Sequence, residues 1–266
     1  MSKELIQKAR KLAQEIVAPI TESVDKEGRF PKEAYDALKK QGFMGLLVPK
    51  EFGGLGFSII EHTGVCYELA RKDATTGLCY MMHNTGTSGI ISFGSAAMKD
   101  EFLPKIAKGE RAIALAYSES GSGTHFGSPD ISESLENGAR VLNGRKSFVT
   151  SALQADFYMT NTNSCKIKGA HNTWLVDRTL PNMIHEDSAW DGLGMRGNAS
   201  MPVQYNGVRV DEKYLVGKEG DGGNHAIAIV MYFVVGLAAV YTGLAQAAYE
   251  CILEHTKKRK YTSGQA

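Results

Sequence analysis

"YSESGSGTHFG", Tyr117 to Gly127, gathers one acidic residue, three serines, a threonine, a histidine and three glycines in a single short stretch. A plain surface connection rarely needs so many small hydrogen-bonding groups together, so the question is what this one holds. Backbone N–H groups beside small hydroxyls can surround an anion, and glycine lets the main chain come close to it. The stretch has no Lys-Ser/Thr pair after its last glycine, as a P-loop requires, and no GxGxxG between a strand and a helix. From its residues alone it reads either as a structural hairpin loop or as a contact for an anion or cofactor.

The chain differs in texture on the two sides of this stretch. Upstream, Leu5, Ile6, Ala9, Leu12, Ala13, Ile16 and Val17 recur at helical spacing, and Pro19 is expected to end that helix. "FPKEAYDALKKQG" sets Pro31 in a first helical turn and Gly42 at a helix stop. "IIEHTGVCYELARK" and "SAAMKDEFLPKIAKG" continue the helical pattern. After Arg111, "VLNGRKSFVTS", "NTWLVD" and "PVQYNGVRV" are short β-prone runs, and Asn206-Gly207 is predicted to be a hairpin turn. From about Asn224 to Lys258 there is no proline and the helical pattern returns.

The expected architecture is an α+β multidomain fold. It has an N-terminal helical bundle over residues 1–112, a central β-barrel or sandwich domain over 113–220, and the start of a C-terminal helical bundle over 221–266. Within the last part, "AIAIVMYFVVGLAAVYTGLA" (226–245) carries no charge and is long enough for a membrane span. Its glycines and alanines allow close helix packing. It is therefore read as a bundle helix covered by neighbouring helices and other subunits, with no membrane partner.

Thirty basic against twenty-nine acidic side chains leave a formal charge of +1, so nothing suggests a dedicated nucleic-acid binder. The basic run Lys257 to Lys260 reads as a solvated helix end. Four cysteines without CxxC spacing argue against a disulfide framework, and the charged, amphipathic start "MSKELIQKARKLAQ" is no signal peptide. A reducing, cytoplasmic setting is expected. The seven histidines show no HxxxH or HxH spacing, so no metal site is predicted.

Taken in order, five segments resemble the acyl-CoA dehydrogenase family along nearly the whole chain. "FPKEAYDALKKQGFMGLLVPKEFGGLGFS" is similar to its N-terminal signature, and "GSAAMKDEFLPKIAKGE" to the approach to its middle domain. "LAYSESGSGT" stands where the family has its TEPxAGSD flavin loop, "LNGRKSFVTSALQAD" where it has GxKxWITN, and "GLGMRGNASMPVQYNGVRV" where it has GxRxSxT. The resemblance implies FAD as cofactor, with Leu115, Tyr117 and Ser118 lining the flavin and Gly123 and Thr124 near its pyrophosphate. It also implies Phe148 against the isoalloxazine, Thr150 near its N5, and Arg196 and Ser200 near the substrate. His125 stands where the family usually has Asp. The implied reaction converts an acyl-CoA to its 2,3-enoyl product, the implied partners are an acyl thioester and an electron-transfer acceptor, and the implied assembly is a homo-oligomer, tetramer or dimer.

The resemblance breaks down near the end of the chain. The family's FDxxR motif falls on "VMYFVV", where Met231 replaces Asp, Val234 replaces Arg, and Phe233 stands where some members carry the catalytic glutamate. Only 48 residues follow Lys218, too few for a four-helix bundle, so the catalytic glutamate is expected beyond Ala266. Arg259 matches the family's RxxFG segment, but Gly264 lies one residue too far and the Phe is missing. The 266 residues alone are expected to be inactive and prone to associate. Two alternatives remain open: a related flavin monooxygenase or carrier-bound acyl dehydrogenase, and a non-catalytic partner subunit with the same fold.

Overall fold

The structure, a computed structural model, describes residues 1–125, 127–187 and 190–260. Gly264 lies outside them. The N-terminal helix α1 (Lys3–Leu12) is capped by the Ser2 hydroxyl and buries Leu5, Ala9 and Leu12. Pro19 does not end this run, contrary to the sequence reading. The chain widens into a π turn (Ala13–Val17), tightens into a 3-10 turn (Ala18–Ile20), and continues as α2 (Thr21–Glu27) to Gly28 in the left-handed region. Pro19 sits in the first turn of the tightened segment, where its missing N–H removes little.

Next come α3 (Lys32–Lys40), which stops before left-handed Gly42, and α4 (Ile59–Ala70), which opens on a Ser58/Glu61 capping box. Helix α5 (Ala74–Phe93) is capped by Asp73, and α6 (Ala96–Ala107) by Ser95. α5 is buried from Thr75 to Ile90 apart from Leu78, although it is rich in Thr, Ser and Gly. The hydroxyls of Thr85, Thr87 and Ser88 bond back to carbonyls one turn earlier, which satisfies them inside the core. Its imidazole His83 faces two neighbours: Nε2 lies 3.0 Å from the Met44 carbonyl, and Nδ1 accepts the Ile113 N–H at 3.2 Å.

Among the described residues seven strands form one sheet: β1 (Ile113–Ala116), β2 (Ser132–Glu136), β3 (Ala139–Val149), β4 (Phe157–Asn163), β5 (His171–Asp177), β6 (Met183–His185) and β7 (Met201–Val210). Their order is β1-β4-β2-β3-β7-β6, with β5 also on β4 and β1 parallel to β4. Alternation divides three of the strands between two cores. Ile113, Leu115, Phe157, Met159 and Leu175 join the helices, while Ala114, Ala116, Tyr158, Trp174 and Val176 join a second core inside the β domain. These strands are therefore buried on both faces: β1 is apolar throughout, while β4 and β5 also bury Thr160, Asn161, Thr162, Asn172 and Thr173.

Asn206-Gly207 is not a hairpin. It lies inside β7, where the register with β3 shifts and Gly207 donates its N–H to the Asn143 side chain at 2.8 Å. The tight turn is at the other such pair, Asn137-Gly138, where both residues have positive φ and join β2 to β3.

The last element, α7 (Gly222–Lys258), packs on α4 and α5 through Gly236, Ala239, Val240 and Gly243. By length and composition it could cross a membrane, yet only 28% of its most apolar stretch is buried. Within this chain the expected cover is thus one-sided.

Candidate functional site

The quoted loop leaves β1 at Ala116 and is tied down within a few residues. The Ser147 N–H donates to the Ser118 carbonyl at 2.8 Å. The Glu119 side chain turns inward, where one oxygen accepts the N–H groups of Asp130 and Ile131 at 2.5 and 3.1 Å and the other is paired with Lys146. Lys146 also donates to the Asn161 carbonyl and side-chain oxygen at 2.8 and 2.7 Å, and to the Tyr117 carbonyl at 3.4 Å. Its side chain is 0% exposed and that of Glu119 is 2%. Burial pulls the Lys146 ammonium down to about 8, while the Glu119 charge and hydrogen bond hold it up.

Two residues beyond Lys146, the strand is re-aimed. Between Lys146 and Val149, β3 gains a residue relative to β7, and this bulge leaves Lys146 and Ser147 both buried and turns Phe148 outward, 57% exposed. The bulge delivers the ring to a cavity of about 180 Å³ lined by Met82, Leu115, Tyr117, Ser118, Gly123, Phe148 and residues of α7, including Ile229 and Phe233. An adjoining chamber of about 420 Å³ shares Met82, Ser118, Phe148 and Phe233 and adds Thr150, Trp190, Asn198, Ser200 and Tyr241. The larger is within the size range of small-molecule clefts.

The chamber's rim is strained. Ser151, Met195 and Ala199 all have positive φ without being glycine, and they are stitched by Ser151 N–H to the Asn198 carbonyl (2.9 Å) and Ser200 N–H to the Asn198 side chain (2.8 Å). Non-glycine residues persist in that region only where their surroundings hold them there, as at binding sites. Thr150 and Ser200 share a hydroxyl–hydroxyl hydrogen bond of 2.9 Å, and the Trp190 indole N–H, beside Phe148, is buried with no partner among the described residues.

Seven of the residues singled out from sequence thus converge: Leu115, Tyr117, Ser118, Gly123 and Phe148 on the smaller cavity, Thr150 and Ser200 on the chamber. Thr124 and Arg196 do not line either one. Thr124 is exposed beyond the loop's tip, and the Arg196 guanidinium is drawn away to donate to the Asp25 carbonyl of α2 at 3.0 Å. Phe233 lines both cavities while Val234 points outward, so the α7 position matched to a glutamate faces the site. Among the described residues no carboxylate lines either cavity, and Glu119 has both oxygens engaged.

Two family models cover most of the chain: "Acyl-CoA dehydrogenase, N-terminal domain" matches residues 2–110 and "Acyl-CoA dehydrogenase, middle domain" residues 114–208. The chain belongs to the acyl-CoA dehydrogenase family. An acyl-CoA dehydrogenase of Bacillus subtilis is 31% identical over 253 residues, which are 94% of this chain and 66% of that protein. Butyryl-CoA dehydrogenase from Megasphaera elsdenii shares the fold with a TM-score of 0.92 at 24% identity, over 98% of this chain and 71% of that one. The FAD complex of PigA matches at 0.88 and 19% identity, over 98% and 70%. The chain therefore spans slightly less than two thirds of the Bacillus acyl-CoA dehydrogenase.

Lys146 falls on the lysine of the matched GxKxWITN segment but is given no role from sequence, and Asn161, Trp190 and Met82 are not singled out. Lys146 pairs with Val203 on the regular part of the ladder and faces inward ahead of the bulge, a position its charge does not suggest.

Proposed function

We propose that this chain is the flavin-holding part of an acyl-thioester α,β-dehydrogenase, with FAD in the linked cavities and an acyl thioester beside it. The observation that carries this reading is the convergence of Leu115, Tyr117, Ser118, Gly123 and Phe148, from separate stretches of sequence, on one cavity. These residues fit the group. Leu115, Phe148 and Ile229 offer apolar walls to a flat ring, and Ser118 offers a hydroxyl to its polar edge. Gly123, with φ +51° and, among the described residues, no heavy atom beyond its chain neighbours within 4 Å of where a side chain would begin, leaves its main chain open to a phosphate.

When bound, the flavin supplies the hydride acceptor. The chain's own residues bind and orient. Thr150 and Ser200, whose mutual hydrogen bond leaves one hydroxyl proton free, present a donor to the chamber, where a thioester carbonyl needs one. Phe233 and Tyr241 of α7 keep water from its far side. The substrate's α-proton goes to a base that these cavities do not contain, and the electrons leave to an external carrier. A homo-oligomer in the cytoplasm is the working form; four free thiols and the bare face of α7 support it.

A non-catalytic partner subunit is the second reading, favoured by Phe233 in place of a carboxylate. Purified protein is expected to take up one FAD and turn yellow, Phe148→Asp to retain less of it, and the 266-residue chain to reduce no dye with short, medium or branched acyl-CoA. A protein that takes up no added FAD overturns the main reading. Bleaching of the bound flavin by an acyl-CoA, tested in a full-length protein beside the 266 residues, separates the dehydrogenase from the inert partner.

A further inference from the structure

A loop with glycines at 121, 123 and 127 is by default free, and ordering it around a ligand takes conformational entropy out of the binding free energy. Here both ends of the loop meet on one buried carboxylate. Glu119 accepts the N–H groups of Asp130 and Ile131, eleven and twelve residues downstream. The loop is packed shut at that point as well, since a side chain at Gly121 would start 1.9 Å from the Asp130 carboxylate. The other oxygen of Glu119 is bound by Lys146, which comes from the strand that carries Phe148 and also takes the carbonyl preceding Ser118.

Buried ion pairs of this kind add little net stability, because well-packed apolar replacements of both partners are often neutral. The groups that Glu119 and Lys146 fix are the two walls of the smaller cavity, although neither residue lines it. We propose that Glu119 and Lys146 are a positioning pair that presets the loop from Tyr117 to Ile131, and its distance from Phe148, for an incoming flavin. The pair touches neither ligand nor reacting atoms, and the inference rests on the flavin reading above.

The test uses the whole chain with Lys146→Met and Glu119→Gln combined, which keeps side-chain volume and removes both charges. The expected result is a modestly lowered apo melting temperature, because the Asn161 and Tyr117 oxygens lose the Lys146 donor, together with an FAD dissociation constant raised about tenfold and a bound-flavin absorption band without its resolved shoulders. Amide exchange at Asp130 and Ile131 is expected to accelerate with no FAD present. Wild-type FAD affinity and spectrum in the double variant, with a lowered melting temperature, overturn the proposal and leave the pair merely structural. Should the double variant fail to fold, Asn161→Ala removes one acceptor of the ammonium, keeps both charges, and is expected to raise the dissociation constant about threefold. Unchanged affinity there overturns the proposal equally. If wild type takes up no FAD, the flavin reading falls, whereas the pair's hold on the loop is then upheld or overturned by exchange alone.

Discussion

Helices α5 and α7 lie against each other and have opposite surroundings. α5 carries threonines, a serine, an asparagine and a histidine, yet it is buried from Thr75 to Ile90 but for Leu78. α7 has twenty successive residues without a charge, yet Ile227, Met231, Val234, Tyr241 and Ile252 stand in the open. Composition did not decide which one is inside. α5 is enclosed by α4, α7, β1 and β4, and its glycines let them approach: side chains at Gly86 and Gly89 would begin 2.6 Å from Ile113 and 3.0 Å from Met159. α7 meets this assembly along one stripe, where His225, Ile229 and Val240 are set among glycines and alanines.

The contrast is broken most severely by a charge. Ile90→Lys, on the enclosed helix, buries an unpaired ammonium and is expected to lower stability by several kcal/mol, leaving the protein insoluble. Ile227→Lys, at a site 69% exposed, is expected to leave the melting temperature unchanged and to reduce self-association in sedimentation. Equal damage from the two substitutions would erase the distinction.

A smaller effect is expected at the stripe. At Gly236 of α7 an added Cβ would begin 2.5 Å from Met81 and 2.8 Å from His62. Gly236→Val is expected to lose about 1–3 kcal/mol in urea unfolding, and Ala248→Val, on the exposed side, almost nothing.

Protons test the same enclosure. Burial holds His62 and His83 down to about 4, against about 6.5 in an unfolded chain. Between those values the unfolded chain binds protons that the folded one does not, so stability falls as pH is lowered from 6.5 towards 4. The slope is about 1.4 kcal/mol per pH unit for each histidine at full effect. His62→Leu is expected to remove about half of that slope, and urea midpoints across this range measure it. The least effect belongs to the partly exposed pair of Arg71 with Glu250, where Glu250→Gln is expected to lower stability by less than about 1 kcal/mol.

The sequence made some of this legible. Helices with one apolar face, α1 and α3, and those with clear stops could be read from spacing, and the loop at 117–127 stood out by its residue types. α5 could not be read that way, because a helix buried all round has no periodic signal and its threonines and glycines resemble a loop. The two Asn-Gly pairs show the same limit: the dipeptide permits positive φ, but the partner strand decides between a turn at 137–138 and a bulge at 206–207. In the site, residues facing the cavity were found through the loop and the strand next to it. The role of Lys146 and the rim residues Met195 and Ala199 were not, since a lysine's burial and a left-handed alanine or methionine leave no mark in composition.

His83 bears on how the chain divides. Because Nδ1 accepts the Ile113 N–H, the neutral ring carries its proton on Nε2 and donates it to the Met44 carbonyl. One imidazole therefore rivets a turn of the helical part to the first strand of the β part, directly beneath the seam at residues 110–114 where the two family models meet. That seam marks inheritance without marking a hinge. A chimera joining the helical part of one relative to the sheet of another must keep, at this position, a side chain that donates on one side and accepts on the other, or its halves will melt separately.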